Sequence, residues 1–99
     1  MEIELRHLRY FSAVAEELHF GRAAERLHIA QPSLSQQIRK LERAIGAELF
    51  DRRRRSIKLT PAGESLAEHT RRTFDDIDRA VTAAQDAAPE PEILNNADP

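Results

Sequence analysis

Cysteine is absent from the 99 residues, and glycine occurs only three times. Without thiols there is no disulfide framework and no thiolate metal site. No apolar stretch approaches the roughly 18 residues that a membrane span needs. The first residues, Met1-Glu2-Ile3-Glu4, have neither the basic start nor the apolar run of a secretory signal, so a cytoplasmic location is expected. The glycines stand apart and make no phosphate-cradling loop. The four histidines, His7, His19, His28 and His69, are isolated from one another and from carboxylates at metal-ligand spacing. No nucleophile, base and orienting group form a recognisable set, so no cofactor, metal or enzymatic activity is expected.

A chain of this length suits one domain with a modest core, to which oligomerisation would add. The formal charge of −2 conceals an asymmetry along the chain. Residues 1–60 carry 12 basic and 8 acidic side chains, net +4, whereas residues 61–99 carry 3 basic and 9 acidic ones, net −6. A basic head on an acidic stem is compatible with a polyanionic partner, because binding to phosphates depends on the charge of one face and not on the total.

Helical periodicity dominates the head. Leu5, Leu8, Phe11, Ala15 and Leu18 recur at steps of three and four, with Glu4 in the first turn, where the helix dipole favours a negative charge. A short second helix is expected over residues 22–28, capped by Gly21, with Ala24 and Leu27 inward. A third follows over residues 32–45, opened by Pro32 and closed by Gly46, with Leu34, Ile38, Leu41 and Ile45 as its apolar stripe. The opposite side of this helix carries Pro32, Gln36, Arg39, Lys40 and Arg43, with Ser33 and Ser35 on its shoulders and no acid; Glu42 lies toward the core. Residues 49–51 and 56–59 read as two short strands around the basic turn of Arg52, Arg53, Arg54 and Arg55.

Thr60-Pro61 then starts a long helix that no proline interrupts before Pro89. A heptad along it places Ala67, Phe74, Val81 and Ala88 at one seam position and Gly63, Thr70, Ile77 and Ala84 at the other, which predicts a dimer through this helix. Residues 89–99, rich in proline, asparagine and acids, read as a disordered tail. The expected fold is mainly α: a winged helix-turn-helix of three helices and a two-stranded wing over residues 1–60, then a dimerisation helix over residues 61–88.

Two short helices joined by a tight turn, the second apolar inside and acid-free outside, form the arrangement that places a helix in the major groove. Its turn here contains no glycine. The arginine run also fits duplex DNA, because guanidinium groups match phosphate oxygens and narrow minor grooves, although a solubilising hairpin tip would look the same in sequence.

These residues resemble one family. Leu5-Arg6-His7-Leu8-Arg9-Tyr10-Phe11 with Ala13-Val14-Ala15-Glu16, then Phe20, Arg22-Ala23-Ala24-Glu25-Arg26-Leu27-His28 and Ala30-Gln31-Pro32-Ser33-Leu34-Ser35-Gln36-Gln37-Ile38, are similar to the opening helix and helix-turn-helix of LysR-type transcriptional regulators. Leu41-Glu42, Gly46, Leu49-Phe50-Asp51-Arg52 and Leu59-Thr60-Pro61-Ala62-Gly63 resemble the helix end, the wing and the start of the linker helix. The resemblance implies sequence-specific binding to an interrupted palindrome of double-stranded DNA by a homodimer, with a longer chain able to assemble further to a tetramer. It implies base reading by Gln31, Pro32, Ser33, Ser35 and Gln36, and a wing contact from Arg52 or Arg53. Gln36 stands where the family often has arginine, Ser33 where it often has proline or alanine, and Ala30 where a small polar residue is common.

Backbone or minor-groove contacts are expected from Arg22, Arg39, Lys40, Arg43, Arg52, Arg53, Arg54 and Arg55, and the dimer seam from Thr70, Phe74, Ile77, Val81 and Ala84. A contact with RNA polymerase leaves no mark in these residues. The alternative from another class is a dimerisation fragment that pairs with a full-length regulator and modulates it, since no sensor domain follows Ala88.

Overall fold

Helix α1 (Leu5–Glu17) begins where His7 turns its side chain back on the chain in a computed structural model that describes residues 2–89. The Glu4 N–H donates to His7 Nδ1 at 3.2 Å, giving an acceptor to a donor that the helix start leaves unpaired. His7 is also buried, at 4% exposure. The buried arc of α1 is His7, Phe11, Ala13 and Val14. Leu5 and Leu18, the two ends of the expected stripe, are 47% and 40% exposed, while Leu8 and Ala15 pack partly against the core. The stripe is rotated because α1 is packed against three later helices at once: α2, α3 and α4 all touch it.

Leu18 closes α1 in the left-handed conformation, φ 49°, and donates its N–H to the Val14 carbonyl at 2.7 Å. Helix α2 (Phe20–Leu27) starts two residues earlier than expected. Its cap is His19, whose Nδ1 accepts the Arg22 N–H at 3.0 Å; Gly21 lies inside the first turn instead of capping it. His28 ends α2 with φ 58°. The glycine-free turn is thus made by a histidine, a side chain that visits the left-handed region more often than most.

Helix α3 (Gln31–Ile45) buries Leu34, Ile38 and Leu41 almost completely. It leaves the helical conformation at Gly46, where φ is 85° and the N–H returns to the Glu42 carbonyl at 2.8 Å. The wing is shorter than expected. Strands β1 (Phe50–Asp51) and β2 (Lys58–Leu59) pair antiparallel, with Phe50 opposite Leu59 and Asp51 opposite Lys58. Phe50 fills the centre of the head, 5.4 Å from the Phe11 ring and 5.9 Å from Phe20, the latter edge-on.

Glu42 ties α3 to the wing. Its buried Oε2 accepts from Leu49 N–H at 2.7 Å, from Phe50 N–H at 3.4 Å and from Arg52 Nη1 at 3.3 Å, while Arg52 Nη2 lies 3.2 Å from Oε1. The Arg52 guanidinium also covers the Phe20 ring at 5.4 Å.

Helix α4 (Pro61–Ala87) is capped as expected: Thr60 Oγ1 accepts the Gly63 N–H at 3.0 Å. The same hydroxyl donates to the Glu48 carbonyl at 2.6 Å, and Thr60 N–H donates to the Leu49 carbonyl at 3.0 Å. Gly63 is required by this close approach, since a Cβ there would collide with the Leu49 carbonyl oxygen. Gly63 and Thr70 are buried and Ala67 is partly buried, all within the single chain. Thr70, expected in the dimer seam, is therefore committed to its own head; the heptad pattern could not distinguish the two kinds of partner. Phe74 and Ile77 are partly covered, and residues 78–89 are exposed. The helix is about 40 Å long at 1.5 Å per residue and sets the longest dimension of the molecule, 58 Å. The expected tail lies, from residue 90 onward, outside the described residues.

Glu42→Ala removes one partner of a buried ion pair and the acceptor of two backbone amides. It is expected to lower the unfolding free energy by about 3–5 kcal/mol. Urea denaturation measures this, and a loss of less than about 1 kcal/mol, the range of an exposed pair, contradicts the assignment.

Candidate nucleic-acid interface

Helix α3 is held by its inner side, so its outer side is free. With Leu34, Ile38 and Leu41 turned into the core, Gln31, Pro32, Ser33, Gln36, Arg39, Lys40 and Arg43 are exposed, and Ser35 is half-buried at the edge of the row. None of the three cations is in an ion pair with an acid of the described residues. Gln36, Gln37, Arg39, Lys40 and Arg43 line one shallow concavity along the helix. The first turn of α3 has no side-chain cap, because Ala30 occupies the capping position; its free N–H groups and the helix dipole face outward.

The start of α2 lies beside the start of α3. His19, Gly21, Arg22, Ile29 and Gln31 share a second concavity, and a Cβ on Gly21 would sit 3.5 Å from Gln31 Oε1. Arg22, on this rim, is exposed; its Nε is 3.6 Å from a Glu17 carboxylate oxygen. Arg26 binds the same end of α1 more tightly, 2.6 Å from Glu16 and 3.4 Å from Glu17, and these contacts raise its pKa further above the ordinary arginine range. This pair of contacts joins α1 to α2 behind the rim. His19 was not expected in the site, and no sequence signal marks it, because histidine is outside the usual set of capping residues.

The four wing arginines have different fates. Arg52, expected at the DNA backbone or minor groove, turns inward to Glu42 in the single chain, its side chain only 22% exposed. Arg53, 90% exposed, folds back on Asp51: its backbone N–H and its Nε both donate to Oδ1 at 3.0 Å, and Nη2 donates to Oδ2 at 3.2 Å. Arg54 and Arg55 are exposed and form no ion pair with an acid of the described residues. Lys58, exposed on β2, adds a cation that the run of arginines drew attention away from.

Of the other expected residues, Phe74 and Ile77 lie partly covered on α4, and the guanidinium of Arg9 from α1 stacks over the Phe74 ring at 4.4 Å. Val81, 52% exposed, and Ala84 are open to solvent in the single chain. No helix among the described residues is long and apolar enough to cross a membrane.

Residues 5–64 match the bacterial regulatory helix-turn-helix proteins of the lysR family. The chain belongs to that family. YnfL of Escherichia coli K12, an uncharacterized HTH-type transcriptional regulator, is 58% identical over 85 residues, which are 86% of this chain and 29% of YnfL. The HTH-type transcriptional regulator AlsR of Bacillus subtilis 168 is 51% identical over 86 residues, 87% of this chain and 28% of AlsR. This lysR-family chain therefore spans less than a third of the length of these relatives. Its fold is that of solved lysR-type DNA-binding domains. The BenM DNA-binding domain in complex with catB site 1 DNA superposes with a TM-score of 0.84 at 42% identity, over 89% of this chain and 99% of that one. The CbnR DNA-binding domain in complex with DNA does so with 0.79 at 39% identity, over 88% of this chain and all of that one.

The hydrogen bonds from Arg53, first from the guanidinium and then from the backbone N–H, pull the Asp51 carboxyl from its ordinary 3.8 to about 2. A depressed carboxyl supports the folded wing fully above the unfolded value and loses that support as pH falls toward the folded one. An NMR titration should accordingly show the Asp51 carboxyl, with its midpoint at about 2, still ionised at pH 3, and Arg53→Ala, which keeps only the backbone hydrogen bond, should move it back toward the ordinary range. A wild-type midpoint near 4 contradicts the pairing.

Proposed function

We propose that this chain is the DNA-reading part of a lysR-type transcriptional regulator, which binds an interrupted palindrome in duplex DNA as a homodimer. The observation that carries this reading is the outer side of α3. It is exposed, free of acids and fixed from behind by three buried aliphatic side chains. The similar BenM and CbnR domains, solved in complex with DNA, support DNA binding by this fold.

In this reading Gln31, Pro32, Ser33, Ser35 and Gln36, in the first turns of α3, meet base edges in the major groove. Arg39, Lys40 and Arg43 lie farther along and touch phosphates, which position the helix without reading sequence. Arg22 and the uncapped N–H groups of α3 approach the backbone from the adjoining rim, where an anion would complete the helix start. Arg54, Arg55 and Lys58 bring the wing to the neighbouring backbone or minor groove. Arg52 serves the site indirectly by holding the wing to α3.

Gln36 is the most telling residue. Its amide donates and accepts, as adenine N6 and N7 require, and a good bidentate pair gives about 1–3 kcal/mol of discrimination. Selection from a random DNA pool should return a two-fold symmetric site. Gln36→Arg should move one base pair of each half-site toward guanine, because a guanidinium suits the O6/N7 pair, while Gln36→Ala should flatten preference there and leave binding to random duplex nearly unchanged. Equal losses on selected and random duplexes would assign Gln36 to the backbone.

Dimerisation is proposed through the distal part of α4. Phe74, Ile77, Val81 and Ala84 recur at steps of three and four, and Ala80, Ala83, Ala87 and Ala88 would let a second helix come close. The wild-type chain is expected to sediment as a dimer at micromolar concentration, and Val81→Asp, which would place an unpaired charge in the seam, as a monomer. A wild type that stays monomeric across that range removes the dimer from the proposal.

A further inference from the structure

The wing carries four consecutive arginines, yet an acid immediately before them occupies one. Asp51 lies on β1 opposite Lys58, with Arg54 also close enough to act on its charge, but it is Arg53 that it binds. The binding uses both carboxylate oxygens and three donors of Arg53, so the guanidinium is folded onto its own strand with its fork filled. A fork filled by a carboxylate is not available to a phosphate, because the same planar donor pair serves both. Arg53 is 90% exposed, so no burial locks the pair, and a phosphate that takes this edge must first displace the carboxylate, at the modest cost of an exposed pair.

We infer that Asp51 is an affinity-limiting residue, which draws Arg53 away from the DNA backbone and thereby limits the sequence-independent part of the wing's affinity. The inference rests on the DNA-binding reading above and deepens it. Phosphate contacts raise affinity for every duplex alike, whereas base contacts raise it only for the right one. A wing with all its arginines free would hold the domain on any DNA. With Arg52 committed to Glu42 and Arg53 to Asp51, only two of the four arginines are left unpaired for the backbone, and the sequence-independent hold of the wing is weaker. Asp51 acts here through Arg53, as a positioning residue.

Asp51→Asn isolates this effect. The amide oxygen can still accept the Arg53 N–H, so the turn keeps its backbone hydrogen bond, but the charge and the second carboxylate oxygen that hold the guanidinium are gone. Removing a negative charge near DNA would by itself raise affinity, and the substitution is therefore made in both the wild-type and the Arg53→Ala chain. Binding is measured by fluorescence anisotropy over a series of salt concentrations, on a random-sequence duplex and on a duplex selected by the wild-type chain. Asp51→Asn is expected to tighten the random duplex about two- to fivefold. It should also steepen the dependence of log affinity on log salt by about 0.9, the mark of one added phosphate contact. The selected duplex should tighten by about the same factor, since a phosphate contact is common to both, and both changes should vanish when Arg53 is alanine.

An unchanged salt slope, or an equal gain with and without Arg53, overturns the inference while leaving the DNA-binding reading intact. A wild-type chain that binds neither duplex overturns both. Circular dichroism melting of each variant is recorded alongside. If Asp51→Asn melts the wing so that it cannot be compared, Arg53→Lys gives a second route: a lysine lacks the fork that fits the carboxylate, so it too should steepen the slope, and an unchanged slope counts against the inference.

Discussion

The carboxylate of Glu42 lies inside the head, where a lone charge would cost several kcal/mol, and its surroundings show why the chain tolerates it. Two backbone N–H groups from the segment after α3 and the guanidinium of Arg52 converge on it. Those amides belong to Leu49 and Phe50, so the acid fixes the path of the chain from the reading helix into the wing. The Leu49 carbonyl in turn receives the Thr60 N–H and lies against Gly63, which sets the start of α4. Phe50, placed by the same turn, fills the space between Phe11 and Phe20. One residue of α3 thus governs the wing, the aromatic centre of the core and the origin of the long helix.

The electrostatics follow from this arrangement more than from composition. A head with a net charge of +4 does not present all its cations to a partner. Arg26 and Arg22 are turned toward the acids that end α1, Arg52 toward Glu42 and Arg53 toward Asp51. Among the described residues of the head, the cations without an acidic partner are those on the outer side of α3, those at the wing, and Arg9, which stacks on Phe74. Pairing inside the head removes basic groups that would otherwise attract polyanions without orientation, and leaves most of the remainder on α3 and the wing.

Helix α4 is shared between two kinds of environment. Its first turns are part of the head: Gly63 permits the closest approach, Thr70 is buried, and Arg9 stacks on Phe74 at the edge. Beyond Ile77 the helix leaves the head altogether, and its apolar residues have no cover in the single chain. A long isolated helix is marginal in water, so the exposed part is the natural place for a second copy to pack.

Much of the fold was legible in the residues. The steps of three and four in α3, the threonine-proline start of α4 and the glycine at the end of α3 each have a local physical cause: side-chain periodicity, a capping hydroxyl with a pre-set φ, and a backbone conformation that costs glycine nothing. The outer side of α3 followed from its periodicity alone. Four features were visible only in the folded chain. The buried arc of α1 was decided by packing against three later helices at once. Thr70 turned to its own head because an apolar or small residue on a helix does not state which surface will cover it. His19 and His28 took the roles of a cap and of a left-handed turn residue, since neighbouring backbone presented the right donor and the right bend. The arginine run looks uniform as a string, but its members diverge because Arg52 meets Glu42, Arg53 meets Asp51, and Arg54 and Arg55 meet no acid of the described residues. The sequence by itself determined which helices form and which face of α3 is free; the tertiary structure alone decided which charges are spent within the molecule, because an ion pair is fixed by distance in space and not by spacing along the chain.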